Sequence, residues 1–226
     1  SSSGNGGNIN LRALNGSVTT DRIDAYTFVQ TGSSFGSSGG NITIQAQDVR
    51  TSEITTFANG FNLGGLMGFS GNSGNGGTID ITATRGNINS AALLSDSRSV
   101  LSSGNGGNVN LNALNGSINI SLINAQSGDI TSINGSAGIG GNVNINAGNL
   151  FLTSGSASGQ ARDGTTYSIA TQGGSGGGAI DITHGGSTTV PFLVGNATNN
   201  GTRAAITSGS GANTIGNIIP LVVPVP

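Results

Sequence analysis

Gly6-Gly7-Asn8-Ile9-Asn10-Leu11-Arg12-Ala13 recurs, with like-for-like changes, in segments opening at Gly39, Gly76, Gly106, Gly140 and Gly177. The intervals are 33, 37, 30, 34 and 37 residues. A unit repeated at such a period cannot bury its apolar face alone and must stack on its neighbours. Within each copy the apolar residues alternate: Ile9/Leu11/Ala13, Ile42/Ile44/Ala46, Ile79/Ile81/Ala83, Val109/Leu111/Ala113, Val143/Ile145/Ala147 and Ile180/Ile182/His184. A period of two puts those residues on one face of a strand. The residues between them form a polar outward column: Asn10, Thr43, Asp80, Asn110, Asn144 and Asp181.

After the first strand the sequence predicts a turn and a second short strand, around Val18, Ile54, Ile88 and Ile118. Asn15-Gly16 and Asn115-Gly116 are turn signals, with Arg85-Gly86 in the same place in the third copy. A third apolar patch follows, as in Ile23-Asp24-Ala25 and Ile123-Asn124-Ala125. Three strands and three turns per copy predict an all-β, single-stranded parallel β-helix (a β-solenoid) of about six coils, with sizeable loops at one corner. Residues 1–190 carry the repeats, and 191–226 read as an irregular C-terminal cap or apolar tail. Asn8, Asn41, Asn108 and Asn142 make a further outward column, broken by Thr78 and Ala179, in which stacked amides can bond along the column. A hairpin sandwich is the rival architecture, disfavoured because every copy carries the same face pattern. Two thinner coils per repeat are the other alternative.

The composition suits a ladder-built protein better than an ordinary globule. Of 226 residues, 42 are Gly and 28 are Asn; charged residues make up 7%, and there is no Lys or Cys. Seven scattered Arg and a net charge of −2 give no nucleic-acid footprint. No apolar run approaches the roughly 20 residues of a membrane-spanning helix. Without Cys there are no disulfides, thiolate chemistry or Cys-ligated metals.

The segment 103–113, Ser-Gly-Asn-Gly-Gly-Asn-Val-Asn-Leu-Asn-Ala, followed by Asn115-Gly116-Ser117-Ile118, resembles the repeats of filamentous-haemagglutinin-like exoproteins. The resemblance covers roughly residues 1–190. It implies a right-handed parallel β-helix, of the kind forming the stalks of large bacterial proteins exported by two-partner secretion, and by kinship it implies adhesion. The family's N-terminal secretion domain carries an Asn-Pro-containing motif. The prolines here are Pro191, Pro220, Pro224 and Pro226, none after Asn, so the resemblance implies a stalk segment without that signal.

Parallel β-helices also host polysaccharide lyases and hydrolases, which would need acids placed to act as catalysts. Asp80 and Asp181 share a column three coils apart, about 14 Å at the stacking repeat, against the roughly 5–9.5 Å that glycosidase carboxylates need. Asp21 and Asp24, three apart in a strand, point to opposite faces. His184, the lone histidine, stands where five earlier copies carry Ala; as a base or metal ligand it would have only Asp181 nearby in sequence, on the opposite face. Its replacement of Ala reads instead as the column ending where the last coil opens toward a cap. Asp follows the Gly-Gly anchor only at Asp80 and Asp181, too seldom for a calcium-binding nonapeptide repeat. The glycines around Gly173–Gly178 lack the Lys-Ser or Lys-Thr of a phosphate loop. No catalytic, cofactor-binding or metal-binding residue is therefore expected.

Two stretches break the pattern. Phe57, Phe61, Leu63, Leu66, Met67 and Phe69 form an apolar cluster outside the core columns, either covering a corner or presenting an interaction patch. The tail contains Ile215, Ile218, Ile219, Leu221, Val222 and Val223; interrupted by Pro220, it is a candidate cap or self-assembly strand. Exposed solenoid ends carry unpaired backbone groups that invite stacking. The sequence thus leads to a non-enzymatic stalk or fibre segment of a secreted or surface-exposed adhesin-like protein. Its expected partners are flanking repeats or other copies end-to-end, and surface glycans or cell surfaces, without nucleic acid, membrane insertion or cofactor. Two alternatives stand beside it: a subunit stacking head-to-tail into an extracellular filament, and a β-helix that binds or processes polysaccharide.

Overall fold

The computed structural model describes residues 4–28, 36–60, 72–99, 102–128, 136–154 and 159–208, and the backbone of 218–222. Among these residues there are strands and turns and no helix. The six anchor strands, Ile9–Ala13, Ile42–Ala46, Ile79–Ala83, Val109–Ala113, Val143–Ala147 and Ile180–His184, pair in parallel in chain order as the first wall. Their register is direct: Ile9 opposes Ile42, Ile42 opposes Ile79, and Val109 opposes Val143. One repeat is therefore one coil, and the six strands bound a parallel β-solenoid of about five turns.

The second wall stacks Val18, Val49, Ile88, Ile118 and Phe151. The third stacks Ile23, Ile54, Leu93, Ile123, Ile169 and Ile206. Ile54, expected opposite Val18, thus belongs to the third wall, and Val49 takes its place. The second copy closes its first turn within Gln47 and Asp48, so its second strand starts sooner after the anchor than in the other copies. The side chains from Ile42 to Ile206 in these three walls make one continuous buried core. Each fully buried aliphatic contributes about 1.5–3 kcal/mol.

The Gly-Gly pairs sit where the coil closes on itself. A Cβ on Gly6, Gly39, Gly76, Gly106 or Gly140 would lie 1.8–2.1 Å from the carbonyl oxygen of Ala25, Thr56, Ser95, Ala125 or Thr171, at the end of the same coil's third wall. Those same oxygens accept the N–H of Gly40, Gly77, Gly107, Gly141 and Gly178 in the next coil, at 2.6–2.9 Å. Thr56, Ser95 and Thr171 return a bond, their hydroxyls donating to the carbonyls of Gly77, Gly107 and Gly178 at 2.8–2.9 Å. From Gly40 onward the second glycine is equally confined, because its Cβ would fall 2.0–2.1 Å from the oxygen of its counterpart one coil earlier, as Gly107 does against Gly77.

Past residue 25 and its counterparts, the described residues of the first four repeats include short legs leaving the corner and short legs leading into the next Gly-Gly pair. The outgoing legs pair as Thr27–Phe28, Ala58–Asn59 and Ser97–Arg98, and two returning legs as Ser102–Ser103 with Ser136–Ala137. Hydroxyls tie the leg leaving each coil to the leg that led into it: Thr27, Ser97 and Ser127 donate to the carbonyls of Gly4, Gly74 and Gly104. The stretch of sequence from each corner to the next Gly-Gly pair varies in length and sets the interval of the first four repeats, whereas the fifth carries its extra residues between the strands Phe151–Thr153 and Thr166–Ala170.

Beyond residue 190 the ladders continue. Gly201–Thr202 pairs with the second wall and Ala205–Thr207 with the third. Ile218–Val222 adds a seventh strand to the first wall, with Ile218 opposite Ile180 and Pro220 opposite Ile182. It is the outermost strand, where a residue without an N–H is tolerated. In sequence, Gly216-Asn217-Ile218 repeats the Gly-Asn-Ile of residues 7–9.

Because Gly107 is enclosed by backbone that cannot move without displacing a coil, Gly107→Ala is expected to destabilise the fold by about 3 kcal/mol. That is comparable with the 2–5 kcal/mol typical of opening a core cavity through Ile81→Ala. Urea unfolding followed by circular dichroism checks both.

Candidate functional site

The first wall presents its outward columns along a shallow trough of about 430 Å³. One column runs Asp80, Asn110, Asn144, Asp181, and beside it stand Thr82, Asn112, Asn146 and Thr183. Strand alternation places them there, since each flanks an interior Ile, Leu or Val. Asn110 Nδ2 donates to Asp80 Oδ1 at 2.5 Å and Asn144 Nδ2 to Asn110 Oδ1 at 2.8 Å, an amide ladder ending on a carboxylate. Asp181 lies three rungs from Asp80, too far for the two to act on one bond. The trough thus offers carboxamides and hydroxyls at about 4.8 Å intervals, a pattern suited to hydrogen-bonding an extended polar polymer. Among the described residues no cluster of three His, Cys, Asp or Glu could hold a metal.

The outer Asn column works differently from the amide stack expected of it. Asn8, Asn41, Asn108 and Asn142 each accept, through Oδ1, the backbone N–H one coil on: Asn41, Thr78, Asn142 and Ala179, all at 2.8 Å. A parallel column, Asn5, Ser38, Asn75 and Asn105, accepts from Ser38, Asn75, Asn105 and Ile139 in the same way. These side chains build the rod.

Of the apolar cluster expected at Phe57, Phe61, Leu63, Leu66, Met67 and Phe69, only Phe57 lies within the described residues. Its ring stacks on Tyr26 at 5.0 Å and meets Phe28 edge-on at 5.6 Å. Tyr26 is 37% and Phe28 43% exposed, so the three rings form an aromatic patch outside the core. Tyr26 and Phe28 were not singled out from the sequence. Their signal was position, since Tyr26 follows corner residue Ala25 as Phe57 follows Thr56. Of the tail residues, Ile215 and Val223 lie outside the described residues, while the backbone of Ile218, Ile219, Leu221 and Val222 pairs within the chain.

A second buried polar region lies behind the third wall. A hairpin, Gly159–Gln160 against Thr166–Ala170, lays Tyr167 over Ala92 and Leu122. Buried Asp96 pairs with Arg98. Burial, and then the charge of Asp96, push the Tyr167 phenol up, so it remains protonated.

His184 points into the core at the end of the Ala column and is 2% exposed. Its ring stacks on Phe192 at 5.0 Å, and Phe192 on Phe151 at 6.2 Å, so three rings fill the last coil. The N–H of Gly186 donates to His184 Nδ1 at 3.0 Å, which leaves the proton of the neutral ring on Nε2. Nε2 is buried without a hydrogen-bond partner. Asp181 points outward, so the two do not form a catalytic or metal pair.

Ladders, register and interior together define the class, a parallel β-solenoid repeat protein. Comparison of the chain with protein-family models, curated proteins and solved structures finds no match in any of the three.

Burial lowers the pKa of His184 below its ordinary 6.5. The unfolded chain therefore takes up the proton first as pH falls. The stability tied to the neutral ring is complete above about pH 6.5 and declines below it. Comparing the chain with His184→Ala by thermal unfolding at pH 7.5 and 5.5 is expected to show the wild type losing more stability on acidification than the variant.

Proposed function

We propose that this chain is a non-enzymatic stalk segment of a secreted or surface-exposed, adhesin-like bacterial protein of the filamentous-haemagglutinin-like kind. The observation that carries the reading is the use made of the polar side chains. The Asn and Ser columns accept backbone N–H groups of the following coil, and the Gly-Gly corner locks one coil to the next. A chain whose repeated chemistry is spent on joining identical units serves as a rod. Its polar outer faces hydrate it, and closed backbone ladders limit protease access. Flanking coils are the partners this reading assigns to its ends.

A second reading, contact with glycans, is favoured by the trough between Asp80 and Asp181, whose carboxamides match the hydroxyl-rich surface of a polysaccharide, and by the Tyr26–Phe28–Phe57 rings. It is compatible with an adhesive stalk and adds no reaction to it.

Incubation with neutral and acidic polysaccharides is expected to release no reducing ends and no unsaturated uronate, whether or not binding occurs on a glycan array. Release that disappears in Asp80→Asn or Asp181→Asn would overturn the non-enzymatic reading.

A further inference from the structure

Three glycines of the first coil keep space open that no described residue fills. A Cβ on Gly7 would meet no atom within 4 Å, whereas on Gly40, Gly77, Gly107, Gly141 or Gly178 it would strike the carbonyl of the preceding coil's glycine at 2.0–2.1 Å. Gly4 is likewise open, while Gly104 and Gly138 at its place press on Gly74 and on Asn105 of the coil before, the second coil carrying Ser37 there. Gly16 is open where Gly116 meets the Gly86 carbonyl at 2.0 Å. None of the three has the positive φ that would call for glycine on conformational grounds.

The same coil is otherwise built as an interior one. Residues 4–17 repeat 104–117 except at Ile9/Val109 and Arg12/Asn112. Yet Ile9, Leu11, Ala13 and Val18 are only partly buried, where Val109, Leu111, Ala113 and Ile118 are fully covered. A terminal repeat shaped to face water departs from the consensus and carries a polar outer face. This one keeps both the interior sequence and the glycine hollows. The opposite end differs, because its outermost first-wall strand contains Pro220 and its second wall ends on Leu193–Val194. That end offers a poor counterpart to Gly7 and Ile9.

We propose that the face formed by Gly4, Gly7, Gly16, Ile9, Leu11 and Val18 is a docking surface for one further coil of the same Gly-Gly repeat, carried upstream on the same polypeptide. The coil's glycine carbonyls fill the three hollows, as those of Gly77, Gly86 and Gly74 do at Gly107, Gly116 and Gly104, its strand pairs with Ile9–Ala13, and its Asn side chain receives the N–H of Asn8. This deepens the stalk reading, since it names the partner at one end. The two fail separately: glycan turnover would remove the stalk reading and leave the docking face intact.

The test splices residues 104–137 ahead of Gly4. The added coil is expected to raise Tm by roughly 5 °C or more and to slow amide exchange across Ile9–Ala13 at least tenfold. Gly7→Ala should leave Tm nearly unchanged in the parent chain, where the space is open, but lower it in the extended chain about as much as Gly107→Ala does. Unchanged exchange at Ile9–Ala13, or a Gly7→Ala effect equal in both chains, would overturn the proposal. Sedimentation of the parent over a hundredfold concentration range should stay monomeric. Association that the added coil abolishes would give the face to a second copy and overturn the upstream assignment.

Discussion

The structure depends on a backbone carbonyl seated where a side chain would otherwise be. At every corner the oxygen of Ala25, Thr56, Ser95, Ala125 or Thr171 occupies the space of a glycine Cβ in its own coil and accepts an N–H from the next. One atom thus closes a turn and fixes the height of the following one. Direct register along the first wall follows, because each strand leaves the corner from the same point. So does the freedom of the stretches from each corner to the next Gly-Gly pair, which can differ in length without disturbing the stack.

The same economy governs the polar groups. A rod with few charges must satisfy its backbone without help from ion pairs, and the Asn and Ser columns do this by accepting N–H groups from the adjacent coil. Each such bond contributes about 0.5–1.5 kcal/mol, and an unmet buried group would cost more. Near the corners the direction is reversed, Thr27, Ser97 and Ser127 donating their hydroxyls to the backbone carbonyls of Gly4, Gly74 and Gly104. Little polar chemistry is left over except in the trough, where the Asp80–Asn110–Asn144 ladder bonds along itself and still faces outward.

The first wall could be read from sequence because alternation and the Gly-Gly pair reinforce each other there, from Ile9 to Ile182. The corner contact could not, since it joins residues such as Ala25 and Gly40 through a carbonyl, which leaves no mark on residue type. Ile54 was misplaced because the second copy has a shorter first turn, and an apolar residue alone does not say which wall it lines. The amide of Asn41 could be seen to stack but not to choose the backbone of Thr78 over a neighbouring amide. The strand Ile218–Val222 was obscured by Pro220 and by Ile215 standing where an anchor would have its first glycine. For the aromatic patch, Phe57 stood out in sequence, but its contact with Tyr26 crosses a full coil and needed the third-wall register.

The Asn columns also have a direction. Asn8 reaches forward to Asn41, Asn41 to Thr78, Asn108 to Asn142 and Asn142 to Ala179; in each pair the acceptor belongs to the earlier coil. A finished coil therefore displays a row of waiting oxygens that the next stretch of chain can meet as soon as it arrives. Each addition costs one closure of a 30–37-residue loop and is repaid by a single neighbour. Along these columns every bond runs from a later coil's N–H to an earlier coil's side-chain oxygen, so the two ends of the rod are chemically unlike.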